Sequence, residues 1–260
     1  MINSLMTAAT GMTAQQTQLD VISHNLANVS TNGFKRSTAV FEDLMYQNLR
    51  QVGANAAEQA ELPTGLQIGL GVRTVATSRN FTQGTPQQSG RALDVAINGG
   101  GFFQIEMPDG TTGYTRDGSF QIDAQGRLVT NSGLPLTAGI TLPAETESVT
   151  ISADGIVSAK LAGQTQPQQV GQIELANFIN PPGLEPLGQN LYRESVASGA
   201  PIASAPGATG MGHLMQGYTE ASNVNVVQEL VDMIKTQRAY EVNSKAIQTS
   251  DQMLQKLSQL

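Results

Sequence analysis

The amino-acid sequence predicts an α+β protein, with a discontinuous α-helical coiled-coil domain formed by both termini and a central domain rich in antiparallel β-structure. Three observations predict this class. Apolar residues recur at helical spacing at both ends of the 260-residue chain, the middle is rich in Gly, Thr, Val and Gln, and Asp-Gly pairs separate short apolar runs there. We expect residues 1–46 and 217–260 to form the terminal helical assembly domain, 47–69 an extended arm or hairpin connector, and 70–216 the β-rich domain.

The N-terminal segment carries a heptad-like seam. Its apolar and small residues alternate at spacings of three and four, which places them along one side of a helix. The pair Asn32-Gly33 tolerates a left-handed backbone and provides a stop. The predicted helix is therefore about 25 residues long, or roughly 38 Å. Its seam consists of Leu5, Ala8, Met12, Gln15, Leu19, Ile22, Leu26 and Val29.

The C-terminal segment repeats this pattern. Asn225 can cap a helix start, and Gln228 follows three residues later, as in a capping box. Because residues 226–258 contain neither Gly nor Pro, we expect a single helix of about 33 residues, roughly 50 Å long. Its seam consists of Val226, Leu230, Met233, Tyr240, Ile247, Leu254 and Leu257.

Polar residues interrupt both seams. Gln15, Gln237, Ser244 and Asp251 would weaken an isolated helix pair, but such residues can specify register in a larger bundle. The alternative is two ordinary amphipathic helices on a globular core. The termini of most domains carry weak patterns, whereas these carry the strongest patterns in the chain. This favours helices that pack against several neighbours.

Asp-Gly pairs mark the hairpins expected in the central domain. They occur at Asp109-Gly110, Asp117-Gly118 and Asp154-Gly155, each beside short apolar or alternating runs. Two other stretches predict connectors. Residues 47–66 are polar and poor in aromatic side chains, whereas residues 199–212 are rich in Pro, Gly, Ala and Ser, which is typical of a flexible linker.

Composition and motifs argue against most kinds of chemistry. A formal net charge of −7 without a basic stripe argues against nucleic acid as a partner. The chain has no Cys, and its two histidines, His24 and His213, lack partners at metal-ligand spacing. Gly99–Gly101 precedes a strand-like run without the Lys-Ser/Thr of a phosphate loop, and no Gly-x-Ser-x-Gly elbow occurs. We therefore expect no catalytic residues, no metal, no cofactor and no small-molecule substrate.

We do not expect the N-terminal residues to form a secretory signal. Such a signal needs basic residues followed by an unbroken apolar run, but the first basic residue is Lys35 and the apolar residues before it are spaced apart. No segment approaches the ~20 apolar residues of a membrane helix. If the chain leaves the cytoplasm, we expect a route without a cleaved signal peptide.

Three stretches resemble one known family, and together they cover most of the chain in the right order. The run 25–36 (NLANVSTNGFKR) is similar to the signature of the flagellar rod and hook axial proteins. The runs 94–103 and 114–120 are similar to their shared β domain, and 222–243 to their C-terminal helix. The motif positions in this sequence are Asn25, Asn28, Thr31, Gly33 and Phe34.

Within that family, the chain length and the insertion 47–66 most resemble the distal-rod members. The resemblance implies a structural protein that is exported unfolded through the flagellar type III apparatus and forms a helical homopolymer with proximal rod and hook proteins as neighbours. It also implies a rigid rod that spans the periplasm of the basal body inside ring bushing proteins and transmits torque from motor to hook. Phe41 and Met45 match an aromatic-x-x-x-apolar export element, with packing on a helix face as the alternative.

Other functions stay open on the sequence alone. Another axial protein, such as a proximal rod subunit or a hook component, would lack a rigid arm at 47–66. A secreted β-rich binding module would need an aromatic platform, and only 5% of the residues are aromatic, with no Trp. A hydrolase would need a nucleophile–base pair, for which the sequence offers no candidate.

Overall fold

The computed structural model describes residues 2–50, 55–57, 60–61, 64–164, 166–208 and 210–258. The chain divides into two compact units. The helical unit comprises the described residues of Met1–Leu26, Ser37–Ser78 and Asn225–Leu260, and the β unit comprises those of Ala27–Arg36 and Arg79–Val224. The chain therefore passes between the units four times, after residues 26, 36, 78 and 224.

Two long helices lie at the ends of the chain, as the sequence predicts. Helix α1 spans Ile2–Ala27 and helix α2 spans Val226–Ser258, which are 26 and 33 residues. The Asn225 side-chain oxygen accepts hydrogen bonds from the N–H groups of Val227 (3.0 Å) and Gln228 (3.2 Å), so the predicted cap is confirmed. The Gln228 amide donates to Asp232 instead of completing a capping box.

The strands of the helical unit form two-stranded antiparallel ribbons. Strand β1 is paired with β6, β2 with β5, and β3 with β4. The bounds are β1 Ser37–Asp43, β2 Tyr46–Arg50, β3 Asn55–Ala57, β4 Ala60–Glu61, β5 Leu66–Gly69 and β6 Val72–Arg79. Within the expected arm at 47–69, residues 51–54, 58, 59, 62, 63 lie outside the described residues.

The β unit contains a six-stranded antiparallel sheet in the order β17-β18-β10-β9-β16-β19 and a three-stranded sheet in the order β13-β14-β15. Strand β11 pairs with β12, β20 with β8, and β21 with β7. The bounds are β7 Pro86–Gln88, β8 Val95–Asn98, β9 Phe102–Glu106, β10 Thr112–Thr115, β11 Gln121–Ile122, β12 Leu128–Val129, β13 Thr146–Ile151, β14 Ile156–Leu161, β15 Gln168–Gln172, β16 Leu175–Asn177, β17 Glu185–Gly188, β18 Leu191–Arg193, β19 Ile202–Ser204, β20 His213–Gln216 and β21 Tyr218–Glu220. The predicted α+β class with a central antiparallel β region is confirmed.

Two of the three expected Asp-Gly hairpins are present. Asp109-Gly110 joins β9 to β10, and Asp154-Gly155 joins β13 to β14. The hairpin expected at Asp117-Gly118 is wrong, because β10 and β11 do not pair with each other. Gly118 instead lies against the backbone of Val95, where a Cβ would come within 1.7 Å of the carbonyl oxygen. Glycine is needed there for a close backbone approach and not for a tight turn.

The flexible linker expected at 199–212 is also wrong. This segment contributes β19, which pairs with β16 at the edge of the six-stranded sheet. Pro206 is buried, and the N–H of Gly212 donates to the carbonyl of Gly100 at 2.7 Å. The Pro, Gly, Ala and Ser residues of this segment form tight turns that are held by backbone hydrogen bonds.

The core of the β unit packs on both faces of the six-stranded sheet. On β9, Phe103 and Ile105 belong to a large apolar cluster. Phe102 lies on the opposite face of the strand, where it packs with Tyr114, Phe178 and Tyr192. This alternation follows the two-residue period of a strand. Edge-to-face contacts join the rings on each side, for example Phe103 with Phe120 at 5.1 Å between centroids.

Candidate assembly site

The two helices approach each other closely within the helical unit. A Cβ on Gly11 of α1 would lie 2.9 Å from the side-chain nitrogen of Asn243 on α2, and Ala14 is buried one turn further on. Small residues at these positions let the helix backbones come together. The backbones of α1 and α2 therefore lie close together at this point.

Polar side chains fill the most buried part of this interface. Asn25 is buried; its amide donates to the Ser37 carbonyl (2.8 Å) and to the Glu229 carboxylate (3.4 Å), and its oxygen accepts from the Ser37 N–H (2.9 Å). Glu229 is buried in the first turn of α2, where a negative charge is favoured by the helix dipole. Asn25 thus ties the end of α1 to the start of β1 and the start of α2.

The predicted seam is only partly covered by the chain itself. Of its α1 residues, Ile22 is buried and Leu5, Met12, Leu19 and Leu26 are half-buried. On α2, the half-buried residues are Met233, Ile247 and Leu254. The other three α2 residues, Val226, Leu230 and Tyr240, are between 39% and 43% exposed. The side chain of Leu257 lies outside the described residues.

The ribbons of the helical unit contact α1. Thr10 accepts a hydrogen bond from the N–H of Val72 at the start of β6 (3.4 Å), and a Cβ on the adjacent Gly71 would collide with the Thr10 hydroxyl. The Asn3 amide donates to the side chain of Gln47 on β2 (3.2 Å). The first half of α1 is therefore flanked by β2, where the arm begins, and by the start of β6, just after the arm ends.

The two residues of the expected export element lie outside the helices. Phe41 is half-buried on β1, and Met45 is 83% exposed between β1 and β2. Packing on a helix face, the alternative to the export role, is therefore wrong for both. Residues 37–43, which the sequence places in the helical ends, form a strand because β1 pairs with β6.

The remaining family-motif residues form the turn that follows α1. The N–H and the hydroxyl of Thr31 donate to the backbone and side-chain oxygens of Asn28, at 3.1 and 3.2 Å. Gly33 has φ +69°, and a Cβ there would lie 2.6 Å from the N–H nitrogen of Asp117. Phe34 is buried directly after it. Gly33 is thus required by both the backbone conformation and the close approach.

A buried charge cluster follows this turn in the β unit. The Lys35 ammonium contacts the Glu220 carboxylate at 2.5 Å and donates to the Thr82 carbonyl at 2.8 Å. Arg116 lies 3.2 Å from the other Glu220 oxygen and donates to the carbonyls of Gly101 and Gly99. Burial lowers the pKa of Lys35 from its ordinary 10.5; Glu220 offsets part of this effect, and Arg116 adds to it. The Glu220 carboxylate therefore lies against two buried cations, Lys35 and Arg116.

Asn223 joins three segments at the points where they leave the β unit. Its oxygen accepts from the N–H of Arg36 (2.7 Å), and its amide donates to the carbonyls of Asn80 (2.9 Å) and Thr82 (3.0 Å). Asn80 in turn donates its N–H to the Arg36 carbonyl (2.9 Å). These contacts fix the spacing of the chain ends that lead to β1, from β6 and to α2.

Sequence reasoning missed the roles of Arg116, Glu220 and Asn223. Arg116 and Asn223 lie inside the stretches that resemble the family, which was the available signal. No sequence signal pointed to Glu220, because its partners are 185 and 104 residues away in the chain.

Within the described residues, no group of three or more His, Asp or Glu side chains could hold a metal ion. None of the described helices has the length and apolar character that crossing a membrane requires.

Comparisons with known proteins match parts of all three stretches that resemble the flagellar axial proteins. Residues 5–35 match the family described as "Flagella basal body rod protein", 96–159 the "Flagellar hook protein FlgE/F/G D1 domain", and 215–260 the "Flagellar basal body rod FlgEFG protein C-terminal".

Full-length relatives give the same result. The chain is 59% identical over 260 residues, covering all of both chains, to the flagellar basal-body rod protein FlgG of Buchnera aphidicola (subsp. Acyrthosiphon pisum). It is 50% identical to FlgG of Caulobacter vibrioides, over all of this chain and 99% of the relative. Identity is 31% to the flagellar hook-basal body complex protein FlhP of Bacillus subtilis, over 98% of this chain and 97% of the relative. The full-length matches to FlgG at 50–59% identity do not favour the alternative of another axial protein. The chain therefore belongs to the flagellar basal-body rod protein family, in the branch named FlgG.

Proposed function

We propose that this chain polymerises into the rigid distal rod of the flagellum, which crosses the periplasm and transmits torque from motor to hook. Membership of the family makes it a structural subunit of the basal-body rod, and the expectation that it is not an enzyme is confirmed by that membership. Its partners are copies of itself and other axial components of the flagellum. The ring bushing proteins around the rod are further proposed neighbours.

The observation that carries this proposal is the open seam of the helical unit. Three seam residues of α2 are exposed, and most of those on α1 are only half-buried. Long helices in water gain most of their stability from packing an apolar face. Neighbouring copies in a rod would cover these faces, and packing of the terminal helices as a coiled coil would be completed only in the polymer.

Electron microscopy of the concentrated protein tests the proposal. We expect straight hollow rods from the unsubstituted chain and none from Leu19→Asp or Ile247→Asp, because each substitution places a charge in a seam that becomes buried on assembly. Gln16→Asp on the exposed side of α1 is the matched control and should assemble normally. Rods formed by both seam variants would remove the seam from the assembly mechanism.

We further propose export through the flagellar type III apparatus, with Phe41 and Met45 as the export element. Phe41 lies on β1, and Met45 directly precedes β2 and is largely exposed. Phe41→Ala should lower the secreted amount while the β unit stays folded, and Val40→Ala, at the exposed neighbouring position, should not. Equal secretion of both variants would leave Phe41 with a packing role alone.

The arm at 47–69 is proposed to stiffen the rod relative to the hook. Its described roots, β2 and β5, pair in antiparallel register from Tyr46↔Gly69 to Arg50↔Leu66. An isolated two-stranded hairpin is only marginally stable in water, so the arm needs a surface to lie on. Deletion of residues 47–66 should give rods that bend, as measured by their persistence length in micrographs; unchanged straightness would remove this role.

A further inference from the structure

An exposed apolar stripe runs along about the first two and a half turns of α2. Val227, Leu230, Val231 and Ile234 are between 40% and 72% exposed. Their spacing of i, i+3, i+4 and i+7 places them on one face of the helix. The seam predicted at heptad spacing includes only Leu230 of these four. The stripe is therefore a second apolar face of α2, and exposed apolar faces of this kind mark interaction surfaces.

An open groove lies elsewhere in the same helical unit. It has a volume of about 910 Å³ and is lined by residues of α1, β5 and the second half of α2, including Thr7, Ala8, Ile68, Gly69, Asn243 and Leu254. None of the described residues that line it is charged. The groove therefore offers an uncharged surface suited to uncharged side chains from another helix.

The stripe and the groove face in opposite directions around α2. At 3.6 residues per turn, the mean direction of the stripe is about 180° from that of Asn243 and Leu254. Their centres are about 18 residues apart along the helix, which is roughly 27 Å. One copy of the unit therefore cannot insert its own stripe into its own groove, but it presents both surfaces to neighbours.

We infer that the stripe of one copy packs into the groove of the next copy. This inference rests on the proposed self-assembly and names the two surfaces that carry it. A contact between two different surfaces leaves one stripe and one groove free at the ends, so it continues as an open polymer. A stripe-to-stripe contact would be two-fold, would use up the stripe in a dimer and would stop growth. The rod requires the open arrangement.

Cross-linking in assembled basal bodies tests the pairing. The chain has no cysteine, so Thr7→Cys and Ile234→Cys in one chain introduce the only two thiols. In isolated basal bodies, a short bis-maleimide should give a ladder of dimers, trimers and longer products. Each single variant, and Thr7→Cys combined with Gln248→Cys, should give no ladder, because Gln248 lies about 21 Å along the helix from Ile234.

The outcomes separate this inference from the proposed function. If the unsubstituted chain is absent from basal bodies, the proposed function is contradicted. If the doubly substituted chain is present and forms no ladder, only the stripe–groove pairing is contradicted. If the double variant does not enter basal bodies, a second experiment with purified chains decides.

That second experiment blocks one surface at a time. Ile234→Glu places a charge in the stripe, while Thr7→Phe places an aromatic ring in the groove from an exposed position. Glutamate is a good helix former, so α2 should keep its helicity by circular dichroism. Each variant alone should stay monomeric where the unsubstituted chain polymerises, and an equimolar mixture should form dimers and nothing larger. A mixture that stays monomeric, or a single variant that polymerises, overturns the inference.

Discussion

The two units of this chain are stabilised in different ways. The β unit buries a cluster of 16 apolar residues and a second, aromatic cluster on the other face of its sheet. Among its described residues, the helical unit buries only Ala14 and Ile22 of the apolar kind. It also carries 16 of the 21 exposed large hydrophobic side chains in the described part of the chain. The apolar surface of the helical unit is mostly left open.

This difference indicates where the free energy of each unit comes from. Burying a large apolar side chain contributes about 1.5–3 kcal/mol, while ordering each backbone residue costs about 1–2 kcal/mol. In the β unit, apolar burial within a single chain offsets the cost of ordering the backbone. The helical unit leaves most of its apolar surface available to neighbouring chains, so we expect its folding to be coupled to its assembly. The β unit is then the preformed part of the subunit.

Limited proteolysis should give the largest contrast between the units. In dilute monomer, subtilisin should remove the helices and leave a fragment within residues 79–224, because cleavage follows local unfolding and the helical unit has few buried contacts. In assembled rods, the same helices should resist. Helices that resist in the monomer would show that the helical unit folds without neighbours and would contradict the comparison.

The buried charge cluster predicts a large stability effect confined to the β unit. Glu220→Ala leaves Lys35 and Arg116 buried without their carboxylate and should cost about 3–5 kcal/mol. Urea denaturation followed by circular dichroism measures this. Glu185→Ala, which breaks the exposed pair with Arg193, is the matched control and should cost far less, because solvent screens this pair. A similar small loss for both would mean that the cluster does not stabilise the unit.

A matched pair of leucines sharpens the comparison at the level of single side chains. Leu128→Ala in the core of the β unit should lower the stability of the monomer by about 2–5 kcal/mol, because it leaves a cavity. Leu230→Ala on α2, where the side chain is 43% exposed, should change it by no more than about 0.5 kcal/mol. The same Leu230 variant should weaken assembly, as measured by the critical concentration for rod formation. Equal losses in the monomer would show that Leu230 is already packed within one chain.

Local signals in the sequence predicted much of this fold. Helix α2 occupies the predicted residues because Asn225 caps it and no Gly or Pro interrupts 226–258. Asp109-Gly110 and Asp154-Gly155 form hairpins because they join strands adjacent in sequence. Asp117-Gly118 is the same dipeptide, but its glycine is needed because the backbone of Val95 lies against it. Only the tertiary structure reveals that requirement.

The assembly site could be predicted only in part, for the same reason. A heptad pattern identifies a face but does not say what covers it, so the seam gave no indication that Val226 and Tyr240 are exposed while Glu229 is buried. The buried ion pairs join residues more than 100 positions apart, which no periodicity can reveal. The composition of 199–212 could not distinguish a linker from turns held by hydrogen bonds.

The smallest expected effect concerns one carboxylate of the β unit and its pH dependence. Burial raises the pKa of Asp117 above its ordinary 3.8, and the nearby Asp94 adds to this, while hydrogen bonds from Ser119 partly offset it. The native state therefore binds this proton more tightly than the unfolded state does. The associated stability is fully present below pH 3.8 and is lost as the pH rises through the native pKa.

Asp117→Asn should consequently raise the melting temperature slightly at pH 7, since it removes the buried charge and keeps an oxygen that can accept the N–H of Ser119. The gain should shrink towards zero as the pH falls to about 3.8. Asp20→Asn is the matched control, because Asp20 is an exposed carboxylate on α1 and its replacement relieves no burial. Thermal denaturation of the monomer between pH 3.5 and 7 measures both variants. A lower melting temperature for Asp117→Asn at pH 7 would mean that the charged carboxylate stabilises the turn after β10 by more than its burial costs.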